Sequence, residues 1–161
     1  MIAVVMGVCG CGKSTVGQRL AEELGWEFRD GDGFHPPENV AKMSKGTPLT
    51  DADRDPWLAA IRKYMEETNA RGKSAVVACS ALKKIYRAKL GDAEPWVKFV
   101  HVHGDPAVIR ARMLARKDHF MPPTLLDSQL ATLETPVGAV VVDVALTTDE
   151  QVKAARKGLG V

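Results

Sequence analysis

Residues able to do chemistry gather in four short stretches, and the first is GVCGCGKST at 7–15. Gly7, Gly12, Lys13 and Ser14 follow the order G-x-x-x-x-G-K-[ST]. Small residues let a backbone curl until successive N–H groups face a phosphate. A helix starting near Lys13 would point the positive end of its dipole at the same place. The Lys13 amine can reach the outer phosphates of a nucleoside triphosphate, and the Ser14 hydroxyl can ligate Mg²⁺. Two rival chemistries fit less well. A dinucleotide fingerprint needs G-x-G-x-x-G, which is missing, and Lys13 stands where the helix would have to approach a sheet closely. Cys9 and Cys11 have no second pair, and Cys79 alone cannot complete a tetrahedral zinc site. The cysteines are therefore read as small loop residues. Beside amides and a lysine, the Cys11 thiol is expected to be acidic and reactive, so that its alkylation blocks nucleotide binding.

The second stretch, RDGDGFHP at 29–36, carries Asp30 and Asp32 two apart, where both can face one cleft. Such carboxylates can hold Mg²⁺, directly or through water, and orient or deprotonate an attacking hydroxyl; Asp-Gly pairs also simply make turns. Outside these four, in PLTDADRDPWL (48–58), Arg54 suits a bidentate grip on a carboxylate or a surface ion pair. Asp55, before Pro56, is expected to cap a helix. The third, ACSALKKIYR (78–87), offers Ser80, the open N–H groups of a new helix, Lys83 and Arg87. The last two, four apart on one helical face, make either an anion site or a solvated charged face. In the fourth, RARMLARKDHFMPP (110–123), Arg112 and Arg116 share a face of a helix that runs into a Pro-containing break. That suits a lid bringing arginines onto a transferring phosphoryl group. His119 belongs to that lid or is a turn residue. No Asp-x-x-Gly follows the third strand, which argues against a nucleotide-driven switch and for transfer to a small molecule.

Alternating strands and helices are needed to position these groups. Strands are expected at 2–6, 26–30, 74–79, 97–103 and 139–144. Helices are expected at 13–24, after Pro36-Pro37, from Asp55-Pro56 to Gly72, at 82–90, from Pro106 to about Lys117, at 125–133 and from Asp149 to Lys157. This pattern predicts a parallel sheet covered on both faces, with ligands beyond the C-terminal ends of the strands, where the motifs fall. The chain has 161 residues, enough for one domain over 1–161. A net charge of +2 gives no ground for nucleic-acid binding. No apolar run is long enough to span a bilayer, MIAVVM is too short for a signal peptide, and an odd cysteine number favours a reducing cytoplasm.

GVCGCGKSTVG, DGDGFHPPENVAKMSKGTPLTDADRDPWL, VVACSALKKIYR and RKDHFMPPTLLDSQLATLE together resemble the gluconokinases, and more distantly the shikimate kinases. The resemblance spans nearly the whole chain. It implies an α/β three-layer P-loop kinase fold with a five-stranded parallel sheet in the order 2-3-1-4-5 and a lid at about 112–135. It implies phosphorylation of D-gluconate at the 6-hydroxyl by ATP with Mg²⁺, another polyol acid such as shikimate being the alternative acceptor. The nucleotide would lie on Gly7, Gly10, Cys11, Gly12, Lys13, Ser14 and Thr15, with Arg112 or Arg116 stacking on adenine. Asp30 would stand near Mg²⁺ and the reacting hydroxyl, with Lys13 and Arg116 as its catalytic companions. Asp32, His35, Arg54, Ser80, Lys83, Arg87, His119 and Gln129 become candidates for contact with the acceptor. A cytoplasmic homodimer is implied as well. The cysteines at 9 and 11, and Leu130 in place of a usual Phe, depart from the common pattern at positions with no assigned chemical role.

Overall fold

In the computed structural model, which describes residues 1–115 and 123–161, β1 (Ile2–Met6) is wholly buried at the centre of a five-stranded parallel sheet. The order is β2-β3-β1-β4-β5, as expected. β3 (Ala75–Ala78) flanks β1 from Ile2↔Ala75 to Val5↔Ala78, and β4 (Val97–His103) from Ile2↔Val97 to Met6↔His101. β2 (Glu27–Asp30) and β5 (Val140–Asp143) form the edges. β2, β3 and β5 are each a residue or two shorter than the apolar runs that announced them.

The period-two alternation of a strand sorts its side chains into two layers. Ala3 and Val5 join the layer of α1 (Lys13–Leu24) and α7 (Thr148–Leu159), with Val16, Leu20, Val152 and Ala155. α5 (Pro106–Ala115) and α6 (Pro123–Thr132) add the fully buried Ile109 and Leu126 to it. Ile2, Val4 and Met6 join the opposite layer, with Trp57, Leu58, Ile61 and Met65 of α3 (Asp51–Ala70) and Leu90 of α4 (Lys84–Leu90). Burying each such side chain is worth about 1.5–3 kcal/mol.

Among the helix starts that differ from expectation, two matter at the site. α3 begins at Asp51, not at Asp55-Pro56. Thr50 and Asp53 form a reciprocal capping box, with Asp53 N–H donating to Thr50 Oγ1 at 3.0 Å and Thr50 N–H to Asp53 Oδ2 at 2.9 Å. That cap outcompetes Asp55, and Pro56 is accommodated inside the helix at the loss of one backbone bond. α4 begins at Lys84, not at Leu82, because Ala81 sits at φ +46° and Lys83 is extended. A 3-10 turn (Gly31–Phe34) and α2 (Pro37–Ser44) link β2 to α3. Trp57 Nε1 ties that turn to α3 by donating to Gly31 O at 2.7 Å.

Candidate active site

At the C-terminal end of β1 the chain curls tightly. A Cβ on Gly7, at φ +152°, would come within 2.7 Å of the Val102 carbonyl oxygen and of Cys11 Sγ, so only glycine fits. Gly12 precedes α1 in the left-handed conformation at φ +89°, and no side chain caps the helix. The first bond of α1 runs from Val16 N–H to Gly12 O at 2.9 Å. Among the described residues, the N–H groups of Gly10, Gly12, Lys13 and Ser14 have no acceptor. Those of Gly7, Cys9 and Cys11 do, donating to Ser80 O at 3.4 Å, Gln129 Oε1 at 2.7 Å and Val8 O at 3.3 Å. Anchored amides thus alternate with open ones before the helix begins, which makes a cradle for an anion at a positive helix end. The Lys13 side chain is half-buried and has no ion-pair partner among the described residues. Thr15 is exposed, and with Ser14 it lines an open cavity of ≈ 440 Å³ reaching Thr148 and Asp149.

The end of β2 lies against this cradle. Ser14 Oγ donates to Asp30 Oδ2 at 2.8 Å, and the other Asp30 oxygen accepts the Asp32 N–H at 3.0 Å. The bond to Asp32 fixes the turn that leaves the Asp32 carboxylate exposed. A hydroxyl and a carboxylate in contact beside an anion cradle are the hard oxygen donors Mg²⁺ prefers. The described residues contain no group of three or more His, Cys, Asp or Glu that could enclose a metal ion. The pair therefore suits a cation completed by phosphate and water rather than an all-protein cage.

A second group of polar side chains forms a mouth from α3 and α4. Arg54 Nη1 donates to Leu49 O at 3.0 Å and to Tyr86 Oη at 3.1 Å. Lys83 Nζ lies 3.0 Å from Asp51 Oδ1, and Tyr86 Oη donates to the same carboxylate. Tyr86 first and Lys83 second hold the Asp51 carboxyl below its usual range, and Asp51 raises the Lys83 ammonium in turn. Asp51 and Tyr86 escaped the sequence reading. Asp51 is one of three aspartates around Arg54, and no spacing separates it from a capping residue. His35 stacks on Trp57 with centroids 4.4 Å apart, and its Nδ1 lies 3.3 Å from Asn39 Nδ2. Burial pushes the His35 imidazole down, against the opposing pull of Asp32.

Three expectations need correction here. Lys83 and Arg87 do not share a helical face, since Lys83 precedes α4 and Arg87 is 5% exposed. Arg87 instead donates through Nη1 to Ala81 O at 2.8 Å and Leu82 O at 3.1 Å, and through Nη2 to Glu134 O at 2.8 Å. The N–H groups at the start of α4 are not all open beside Ser80, because Lys84 N–H donates to Glu134 Oε1 at 3.0 Å. Cys11 is no exposed nucleophile. It is 1% exposed, and burial pushes the neighbouring Cys9 thiol up and Cys79 to about 12. On the far side, exposed Arg112 reaches Leu146 O at 3.5 Å. Gln129, expected over the acceptor, has its side-chain oxygen on the Cys9 N–H. Arg116 and His119 lie outside the described residues.

Comparison with known proteins agrees with this fold. A family model described as shikimate kinase matches residues 9–155. A gluconokinase of Gluconobacter oxydans is 54% identical over 134 residues, covering 83% of this chain and 75% of that one. A probable gluconokinase of Xenopus tropicalis is 49% identical over 151 residues, covering 84% of this chain and 80% of that one. Among solved structures, a gluconokinase from Sinorhizobium meliloti superposes with a TM-score of 0.88 at 51% identity, covering 98% of this chain and 90% of that one.

Proposed function

The chain belongs to the shikimate kinase family as that model defines it and, within it, to the gluconokinases, and from that membership we propose that it transfers the γ-phosphoryl group of ATP to the 6-hydroxyl of D-gluconate. The observation that carries the mechanism is the 2.8 Å contact between Ser14 and Asp30, which joins the nucleotide cradle to the strand end bearing both carboxylates.

The open amides of Gly10, Gly12, Lys13 and Ser14 bind the phosphates, and the Lys13 ammonium neutralises charge growing on the transferred group. Mg²⁺, held by Ser14 and Asp30 directly or through water, supplies further charge neutralisation when bound. Asp30 and Asp32 orient the acceptor hydroxyl in line, and one of the two carboxylates takes its proton. Arg54, Lys83, Ser80 and His35 meet the carboxylate and hydroxyls of gluconate. We carry Arg87 forward as support for that mouth rather than as a ligand. The segment at about 112–135 covers the site as its lid, with α6 as the anchored part of it and Arg112, Arg116 and His119 brought by the earlier part, the arginines to the nucleotide and His119 to the acceptor side. No described helix is long and apolar enough to cross a membrane. A cytoplasmic homodimer completes the reading.

The test is a coupled assay of ADP release over a panel of sugar acids that includes gluconate and shikimate. Gluconate-dependent turnover is expected, and turnover with shikimate alone would overturn the choice of acceptor. Asp32→Ala is expected to lower gluconate-dependent kcat by about 10²-fold or more while ATP still binds. Loss of nucleotide binding in that variant would remove Asp32 from the acceptor.

A further inference from the structure

Cys9 N–H is held differently from the other anchored amides of the phosphate loop. Gly7 and Cys11 donate to backbone carbonyls, whereas Cys9 donates to a side chain 120 positions away, Gln129 on α6, at 2.7 Å. Cys9 is 4% exposed, so its N–H has little access to water as an alternative partner. An N–H has one hydrogen to give. While Gln129 holds it, this group is directed toward α6, and the neighbouring Gly10 N–H remains open.

The base from which Gln129 reaches is itself fixed. Leu133 N–H donates to Gln129 O at 2.9 Å, continuing the helical turn. One residue on, Glu134 is tied to the β3–α4 connection and the first turn of α4 by three bonds. Its N–H donates to Leu82 O at 2.8 Å, its carboxylate accepts Lys84 N–H at 3.0 Å, and its carbonyl accepts Arg87 Nη2 at 2.8 Å. The fully buried Leu126 anchors the same helix in the core. The end of α6 is therefore braced on the connection that carries Ser80 and Lys83, and from there it grips the nucleotide loop.

We propose that Gln129 is a positioning residue for the phosphate loop: its side-chain carbonyl holds the Cys9 N–H and so fixes the curl that turns the open amides toward phosphate. This departs from a direct contact with the acceptor. It rests on the nucleotide half of the proposed function and not on the identity of the acceptor.

Two variants test it. Gln129→Leu keeps the bulk and removes the oxygen, and Gln129→Glu keeps an oxygen acceptor. In the Leu variant, exchange of the Cys9 amide hydrogen, followed by NMR on ¹⁵N-labelled protein, is expected to speed up about tenfold or more. The Kd for ADP by calorimetry is expected to rise about tenfold, because the binding-competent loop is less populated. The KM for gluconate at saturating ATP stays unchanged. The Glu variant keeps slow Cys9 exchange, which separates loss of the acceptor from general loosening. Unchanged Cys9 exchange in the Leu variant overturns the proposal. So does a raised KM for gluconate with unchanged ADP affinity, which would put Gln129 on the acceptor. Exchange and ADP binding are read without any acceptor, so a chain inactive on gluconate would still decide the matter.

Discussion

The two ends of the site are built on opposite principles. At the phosphate end, the N–H groups of Gly10, Gly12, Lys13 and Ser14 and the Lys13 ammonium are left without partners among the described residues. At the acceptor mouth, the arginines and Lys83 already have them. Arg54 holds Tyr86 and Leu49, Lys83 and Tyr86 hold Asp51, and Arg87 holds three carbonyls. The phosphate end is prepared by fixed backbone, so a ligand there gains interactions with little rearrangement. The mouth is prepared by side chains that satisfy one another, so an acceptor must exchange partners to bind. Substitutions at the first end should therefore act steeply on rate, and those at the second should divide between stability and graded changes in KM.

The steepest expected effect lies with Lys13. Lys13→Met is expected to lower kcat on the order of 10³-fold with an unchanged melting curve, because charge neutralisation at the transferred group is lost and no described ion pair is broken. A loss under tenfold would mean that the amides alone stabilise that charge, and the contrast between the two ends would weaken. Next comes Arg87. Arg87→Ala strands two carbonyl acceptors, Ala81 O and Glu134 O, while Leu82 O keeps the Glu134 N–H, and is expected to cost about 2–3 kcal/mol of unfolding free energy by urea titration. The KM for gluconate of the folded protein is expected to change by less than about threefold. A raised KM at unchanged stability would return Arg87 to the acceptor.

The same contrast decides what was legible in the sequence. The phosphate loop was readable because its chemistry is carried by backbone, and backbone geometry of this kind demands glycines at set intervals. Gly7 and Gly12 are where they are because of a close approach and a left-handed turn. Strand count and the covering of the sheet by helices followed from apolar runs separated by amphipathic ones, and the sheet order from the resemblance to a known family. The mouth was only half readable. Arg54 and Lys83 announce charge, but nothing in a one-dimensional pattern says that Asp51 and Tyr86 stand between them, 35 positions apart and joined by a hydrogen bond. Arg87 misled for a related reason. Spacing of four from Lys83 implies a shared face only inside a helix, and the left-handed Ala81 delays α4 past Lys83. The bond of Gln129 to the loop was not legible because its partner is a backbone amide, which carries no residue signature.

The smallest expected effect probes whether the mouth is held closed by an internal anion. Asp51 presents a carboxylate to Lys83 at 3.0 Å and to the Tyr86 hydroxyl, while Arg54 approaches the same hydroxyl at 3.1 Å. A substrate carboxylate seeking Lys83 and Arg54 has to compete with that group. Asp51 is exposed and the Lys83 side chain about a third exposed, so solvent weakens the pair, and the competition should be modest. Asp51→Asn is accordingly expected to lower the KM for gluconate about threefold at unchanged kcat. The effect should shrink at high salt, where screening already weakens the pair. The Asp51 carboxyl is held below its usual range, so it is ionised throughout the neutral region and protonates only in acid. The ratio of KM values between wild type and variant should therefore stay flat from pH 6 to pH 8. A higher KM in the variant would reverse the assignment. Asp51 would then be receiving hydrogen bonds from the acceptor's hydroxyls, and the mouth, like the phosphate end, would be a surface prepared for its ligand rather than one that must first let go of itself.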